Sequence, residues 1–176
     1  IAQCLVGSER CIRDRVYSVN NGKNSYSGRA HMDGMVFRGY VPQDGVTGGW
    51  GGEEFNFSWS MEGSGTDFAI ASMAKYLRDE AELGSEAWQK YNDEYLYFTA
   101  RATNYVHLFN ESMGGWFRAK KSDGTWLQTD EQFDPTAQGY GYCEDNAYNY
   151  AFPPYDGQGL ANLYGMARDK DGRTAL

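Results

Sequence analysis

From Ser85 to Phe109, apolar and aromatic residues fall at Trp88, Tyr91, Tyr95, Phe98, Ala102, Tyr105 and Phe109, at intervals alternating between three and four. That spacing marks one face of an α-helix, and Ser85 stands where an N-cap is wanted. The stripe is aromatic rather than Leu and Ile, which fits a globular core better than a coiled-coil seam. Upstream, Phe68, Ile70, Ala71, Met73, Ala74 and Leu77 crowd a second helix predicted from Asp67 to Asp79. Its apolar residues are not confined to one side, as expected of an inner helix. Thr66 is placed to cap it, and Asp67 suits the positive end of the helix dipole. The short connection between the two helices predicts an antiparallel pair.

Around this pair the pattern loosens. Residues 20 to 58 are rich in Gly, Asn and Ser and predict a long loop region. Within it, Val41 before Pro42 is an extended step, and Gly48-Gly49-Trp50-Gly51-Gly52 is a flexible loop around a Trp. After the aromatic helix, Gly114-Gly115-Trp116-Phe117-Arg118 and Asp123-Gly124-Thr125-Trp126 predict a tight hairpin turning at Asp-Gly. Residues 127 to 142 are a polar loop containing Pro135. A short helix near Asn146 breaks at Pro153-Pro154, and a last helix spans about Asp156 to Tyr164 with Gly165 as its C-cap. The sum is a mainly α fold with long loops and a small β-hairpin, compatible with part of an α/α toroid.

The chain has 176 residues and a formal net charge of −8, spread rather than blocked. Spread negative charge favours solubility and argues against nucleic acid, whose binding needs clustered Lys and Arg. The one basic cluster, Arg118-Ala119-Lys120-Lys121, reads as a solvated hairpin. No apolar run reaches the ~18 residues of a membrane-spanning helix. No His/Cys/Asp/Glu group has zinc spacing, and no Walker loop, dinucleotide fingerprint or serine nucleophile elbow occurs. His107 lies beside the aromatic stripe and reads as structural.

Leu5 to Arg15 looks like the translation of a transposase-based sequencing adaptor, with one substitution. Residues 1–15 are therefore expected to be a non-native segment outside the fold, leaving residues 16–176 as the domain. Cys4 and Cys11 then carry no meaning. Cys143 alone cannot frame a disulfide, and the redox compartment is unreadable.

The candidate chemistry lies in Tyr140-Gly141-Tyr142-Cys143-Glu144-Asp145-Asn146-Ala147-Tyr148-Asn149-Tyr150 and the following Pro153-Pro154-Tyr155-Asp156-Gly157-Gln158-Gly159-Leu160. Glu144 sits among aromatic rings. Apolar surroundings disfavour a charged carboxylate, and an acid held protonated near neutral pH can act as a general acid. The rings offer flat faces for sugars. The competing reading is a Tyr-rich helix end with a solvated Glu.

These strings resemble glycoside hydrolase family 92, the calcium-dependent exo-acting α-mannosidases, in the segment running roughly E-G-N-A-W-Q-Y, P-H-D and G-L. Glu144, Asn146, Ala147, Tyr150, Pro154, Asp156, Gly159 and Leu160 match. Asp145 replaces Gly, Tyr148 replaces Trp, Asn149 replaces Gln and Tyr155 replaces His. Earlier strings follow in the same order. Gly39-Tyr40-Val41-Pro42 matches G-Y-V-P. Ser60-Met61-Glu62 with Asp67-Phe68-Ala69-Ile70-Ala71 resembles T-L-E-Y-A-Y-D-D-W-A-I-A. Arg101-Ala102-Thr103-Asn104-Tyr105 matches R-x-x-N-Y, and Gly124-Thr125-Trp126 matches G-S-W. The similarity runs from about residue 36 to residue 165.

The resemblance implies an internal fragment of an (α/α)6 catalytic domain that removes terminal α-linked mannose with inversion. Glu144 would be the general acid. Glu62, Asp67, Trp126, Tyr148, Tyr155 and Asp156 would line the sugar pocket. An inverting enzyme also needs a base about 6.5 to 9.5 Å from the acid. The family draws its base and calcium ligands from downstream G-N-E-P and G-N-D-D motifs, and neither occurs in this chain. Calcium would thus belong to the parent enzyme, with ligands outside this chain. The partners implied are a mannose-containing glycan and the remainder of the catalytic domain. A secreted or periplasmic-type parent is also implied.

Several residues keep a second reading. Asp156 suits an N-cap as well as a sugar hydroxyl, Glu62 and Asp67 could cap the first helix, and Trp126 could pack in the core. Tyr155 replaces a His, so a His-dependent contact is not carried over. Two other functions compete: a non-catalytic carbohydrate-binding helical module, and another α/α-toroid enzyme such as a lyase.

Overall fold

The computed structural model describes residues 32–44, 56–135 and 153–166. The fold is mainly helical: α1 (Met32–Phe37), α2 (Asn56–Glu80), α3 (Glu86–Ala102) and α4 (Gly157–Met166), with a small two-stranded sheet of β1 (Phe109–Asn110) and β2 (Trp116–Phe117). The expected adaptor-like segment at residues 1–15, the Trp50 loop and the short helix near Asn146 lie outside the described residues.

α2 and α3 form the expected antiparallel pair and pack along their lengths. Ser85 caps α3, its hydroxyl accepting from the Trp88 amide at 3.1 Å. Ile70, Ala71 and Phe98 form the buried seam, with Tyr95 and Tyr97 packed against it. Farther along, Arg78 of α2 donates to Asn92 Oδ1 of α3 at 3.3 Å and lies over the Tyr95 ring.

Several sequence expectations need correction. First, α2 begins at Asn56, not near Asp67, so Asp67 lies mid-helix and caps nothing. The early half, Asn56 to Thr66, is rich in Ser and Gly, which propensity disfavours in helices. Ser60, Ser64 and Thr66 instead turn their hydroxyls onto the carbonyls four residues back, and burial of Phe57 and Met61 holds the segment. This also places α1 and the start of α2 inside the predicted long loop.

Second, α3 ends at Ala102, well short of Phe109. Residues Asn104–Leu108 tighten into a 3-10 turn and Phe109 enters β1. Side chains three apart eclipse in a 3-10 helix, so Ala102, Tyr105 and Leu108 remain buried on one line. The stripe thus continues inward although the α-helix does not. Third, β2 pairs with β1, in the register Phe109↔Phe117 and Asn110↔Trp116, rather than across Asp123-Gly124. The expected turn at Asp123-Gly124 is also present, with Gly124 at φ 86: the Lys121 amide donates to the Thr125 carbonyl at 2.8 Å and the Leu127 amide to the Ala119 carbonyl at 2.9 Å, on either side of the antiparallel bridge Lys120↔Trp126. Gly165, expected as a C-cap, lies within α4 and is not in the left-handed region.

The Gly39-Tyr40-Val41-Pro42 segment docks between α2 and the Asp123-Gly124 turn. The Val41 amide donates to Ser60 Oγ at 2.8 Å, and Asn56 Nδ2 to the Pro42 carbonyl at 2.8 Å. The Gln43 amide donates to the Lys120 carbonyl at 2.8 Å. Asp44 accepts from the Ser122 amide and hydroxyl, and Arg38 donates to the Ser122 carbonyl. The main core gathers Tyr40, Phe57, Met61, Tyr105, Leu108, Phe117 and Ala119, with Leu160 and Leu163 of α4 packed against it.

Candidate functional site

Three segments distant in sequence meet where α3 ends: Ser64–Phe68 of α2, Arg101–Tyr105, and Tyr155–Gly159 at the start of α4. Asp67 is wholly buried and accepts from Arg101 Nε at 2.9 Å. Taking two charges out of water is costly unless they are paired and further hydrogen-bonded. Arg101 is held further by Nη1 donating to the Tyr97 hydroxyl at 3.3 Å, and its guanidinium lies near the Tyr97 and Phe98 rings. Its buried Nη2 has no acceptor among the described residues.

Tyr155 sits across this junction. Its ring stacks on Phe68, with centroids 4.7 Å apart and planes 16° apart, and meets Tyr105 edge-on. Its hydroxyl donates to the Ala102 carbonyl at 2.8 Å, one of the carbonyls a helix C-terminus leaves unpaired. Burial pushes the Tyr155 phenol pKa well up, partly offset by a hydrogen bond with Ser64. The hydroxyl and one ring face of Tyr155 are therefore committed to the protein.

Asp156 starts α4. Its Oδ1 accepts from the Gly159 amide at 2.9 Å and its carbonyl from the Leu160 amide at 2.9 Å, which is N-cap geometry. Its Oδ2 accepts from the Tyr105 hydroxyl at 2.7 Å. Burial, reinforced by the Asp156 carboxylate, pushes the Tyr105 phenol pKa up as well.

Asp67, Tyr155 and Asp156 are thus brought to one junction. Glu62 is not: it lies exposed on α2, five residues before Asp67, and so about 140° around the helix. Trp126 follows the Asp123-Gly124 turn, with Lys120 Nζ 4.3 Å from its ring centroid and the Arg118 guanidinium 5.9 Å away. One face of this ring is occupied by a cation. Burial also pushes the Lys120 pKa down. Arg118, expected in a solvated hairpin, is instead buried. It donates to Asp130 Oδ1 at 2.6 Å and to the Gln128 and Thr129 carbonyls at 2.8 and 3.1 Å. Glu144 and Tyr148 lie outside the described residues.

The sequence does not mark Arg101 or Tyr105 as site residues. For Tyr105 the aromatic stripe gave a sufficient account as core, and for Arg101 nothing local pointed to a partner 34 residues away. The only signal was that both belong to the R-x-x-N-Y string.

The strings at these positions also decide the family. Residues 9–171 match the glycosyl hydrolase family 92 catalytic domain. The chain belongs to that family. No curated protein sequence matches it significantly. Family 92 membership points to glycoside hydrolysis and to a glycan as the class of substrate. The family is generally calcium-dependent. Among the described residues, no three His, Cys, Asp or Glu side chains converge to hold a metal ion. No described helix is long and apolar enough to cross a membrane.

Proposed function

We propose that this chain is an internal part of an inverting exo-α-mannosidase, supplying the general acid and part of the pocket for a terminal α-linked mannose. The observation that carries the reading is the meeting of Asp67 and Arg101 with Tyr155 and Asp156, four residues from three separate family 92 strings, at one end of the α2–α3 pair. Asp156 accepts hydrogen bonds from sugar hydroxyls while capping α4. Tyr155 supports the pocket wall in place of the family's His. Glu144 protonates the leaving oxygen; its place in the motif E-x-N-A supports this role. The α2–α3 pair belongs to an (α/α)6 toroid, and the base and calcium ligands come from the rest of the parent.

The test is hydrolysis of an aryl α-mannoside by the full-length protein, followed by proton NMR of the first-formed product. Release of β-mannose is expected. First-formed α-mannose would overturn inversion. Binding of mannose-containing glycans without any release would favour the carbohydrate-binding module.

A further inference from the structure

We infer that Tyr105 is a positioning residue for substrate binding: its hydroxyl, together with the Gly159 backbone, fixes the Asp156 carboxylate in the orientation that meets the sugar. The inference rests on the proposed sugar-binding role of Asp156 and adds the groups that hold it.

An ordinary N-cap uses one side-chain oxygen on the first-turn amides. Asp156 meets that need with Oδ1, which accepts from the Gly159 amide at 2.9 Å. The second bond, Tyr105 hydroxyl to Oδ2 at 2.7 Å, spans 51 residues and is not needed for capping. It joins the end of the aromatic stripe to the start of α4. The donor is rigid: Tyr105 is buried, with Phe117 edge-on at 5.9 Å and Tyr155 edge-on at 6.4 Å. With its phenol proton held by burial, Tyr105 remains the donor across the working pH range. Asp156 is itself only partly buried. Each carboxylate oxygen accepts more than one hydrogen bond, so each retains accepting capacity for a sugar hydroxyl.

Gly159 completes the device. A Cβ there would collide with both Asp156 Oδ2 and the Tyr105 hydroxyl. The first turn of α4 therefore passes directly over this hydrogen bond, and only glycine leaves room for it. Capping alone would place no such demand three residues into the helix.

The experiment compares Tyr105→Phe, Asp156→Asn, Gly159→Ala and the Tyr105→Phe/Asp156→Asn double variant in the full-length protein, with an aryl α-mannoside as substrate. Phe keeps the ring and its packing and removes only the proton donor. Tyr105→Phe is expected to raise KM about ten-fold with kcat within about two-fold, the pattern of lost uniform binding. Gly159→Ala should raise KM similarly with Tyr105 intact. In the double variant, Tyr105→Phe should add nothing to Asp156→Asn, because it acts through that carboxylate. Unchanged KM in Tyr105→Phe beside a raised KM in Asp156→Asn overturns the positioning role alone. So does a fall in kcat at constant KM that tracks a lowered Tm, or full additivity in the double variant. Unchanged KM in Asp156→Asn overturns the sugar-binding role of Asp156, and the positioning role with it.

Discussion

Arg101 Nε lies 2.9 Å from Asp67 Oδ2, and the two side chains are 7% and 0% exposed. The pair ties α3 to the middle of α2 across 34 residues of chain. Removing one partner of such a pair leaves an uncompensated buried charge, which typically costs about 3 to 5 kcal/mol. Asp67→Ala and Arg101→Met should each lower the Tm of the full-length protein markedly. The double variant should lose less than the two single losses combined. Additive losses in the thermal unfolding curves would show that the two side chains are not coupled.

Phe98 is the most buried ring of the α2–α3 seam. Phe98→Ala should cost about 3 to 5 kcal/mol, the range for deleting a central ring. Tyr95, which is only partly buried, should cost less on the same change. Denaturant midpoints of the two variants give the order directly, and a larger loss at Tyr95 would contradict the packing described.

Ser85→Ala removes the hydroxyl that accepts from the Trp88 amide. A lost N-cap costs about 1 kcal/mol. Ser85→Asp, which restores an acceptor at the helix's positive end, should recover most of it. A stability for Ser85→Ala equal to that of the parent would mean that the cap contributes nothing.

The elements most legible in the sequence were those with local signals. The aromatic spacing from Trp88 to Ala102 and the Ser85 cap depend on neighbours within one or two turns, and both are present. The early half of α2 carried the opposite local signal. Its serines and glycines look like loop, and the chain becomes helical there because Phe57, Met61 and the docked Val41-Pro42 segment bury it. The candidate site was half legible for the same reason. Asp67, Tyr155 and Asp156 could be placed from motif strings. That Arg101 reaches Asp67, and that Tyr105 spends its hydroxyl on Asp156, are long-range facts that no spacing along the chain encodes.

The Arg118 guanidinium beside Asp130 holds that carboxyl below its ordinary value of 3.8, helped by the Ser112 hydroxyl. A lowered folded-state pKa contributes stability above the unfolded value, and that stability is lost as pH falls through the folded one. Acidification below about pH 3.8 should therefore loosen the turn around Asp130. Asp130→Asn should flatten that part of the stability-versus-pH curve. An identical acid limb in the two proteins would exclude Asp130 from the transition.

Glu144→Gln in the full-length protein keeps the side chain's shape but cannot deliver a proton. Turnover of natural α-mannosides should fall by about 10²- to 10⁴-fold. Aryl mannosides with good leaving groups should lose much less, since they need less protonation. Near-parent rates on a natural α-mannoside would remove Glu144 from the mechanism.

The docking of residues 40–44 also bears on the order in which the chain folds. The α2–α3 hairpin closes over five residues of connection, 81–85, a fast local event. The Asp44 side chain reaches Ser122 only by closing a separation of 78 residues, and loop-closure entropy makes such contacts slow to arrive. The Gln43–Asp44 end of the strap is therefore expected to latch late, after the helical pair has formed and the turn at Asp123-Gly124 has been made. In pulsed hydrogen exchange during refolding, the Gln43 amide, which rests on the Lys120 carbonyl, should become protected after the amides of α3.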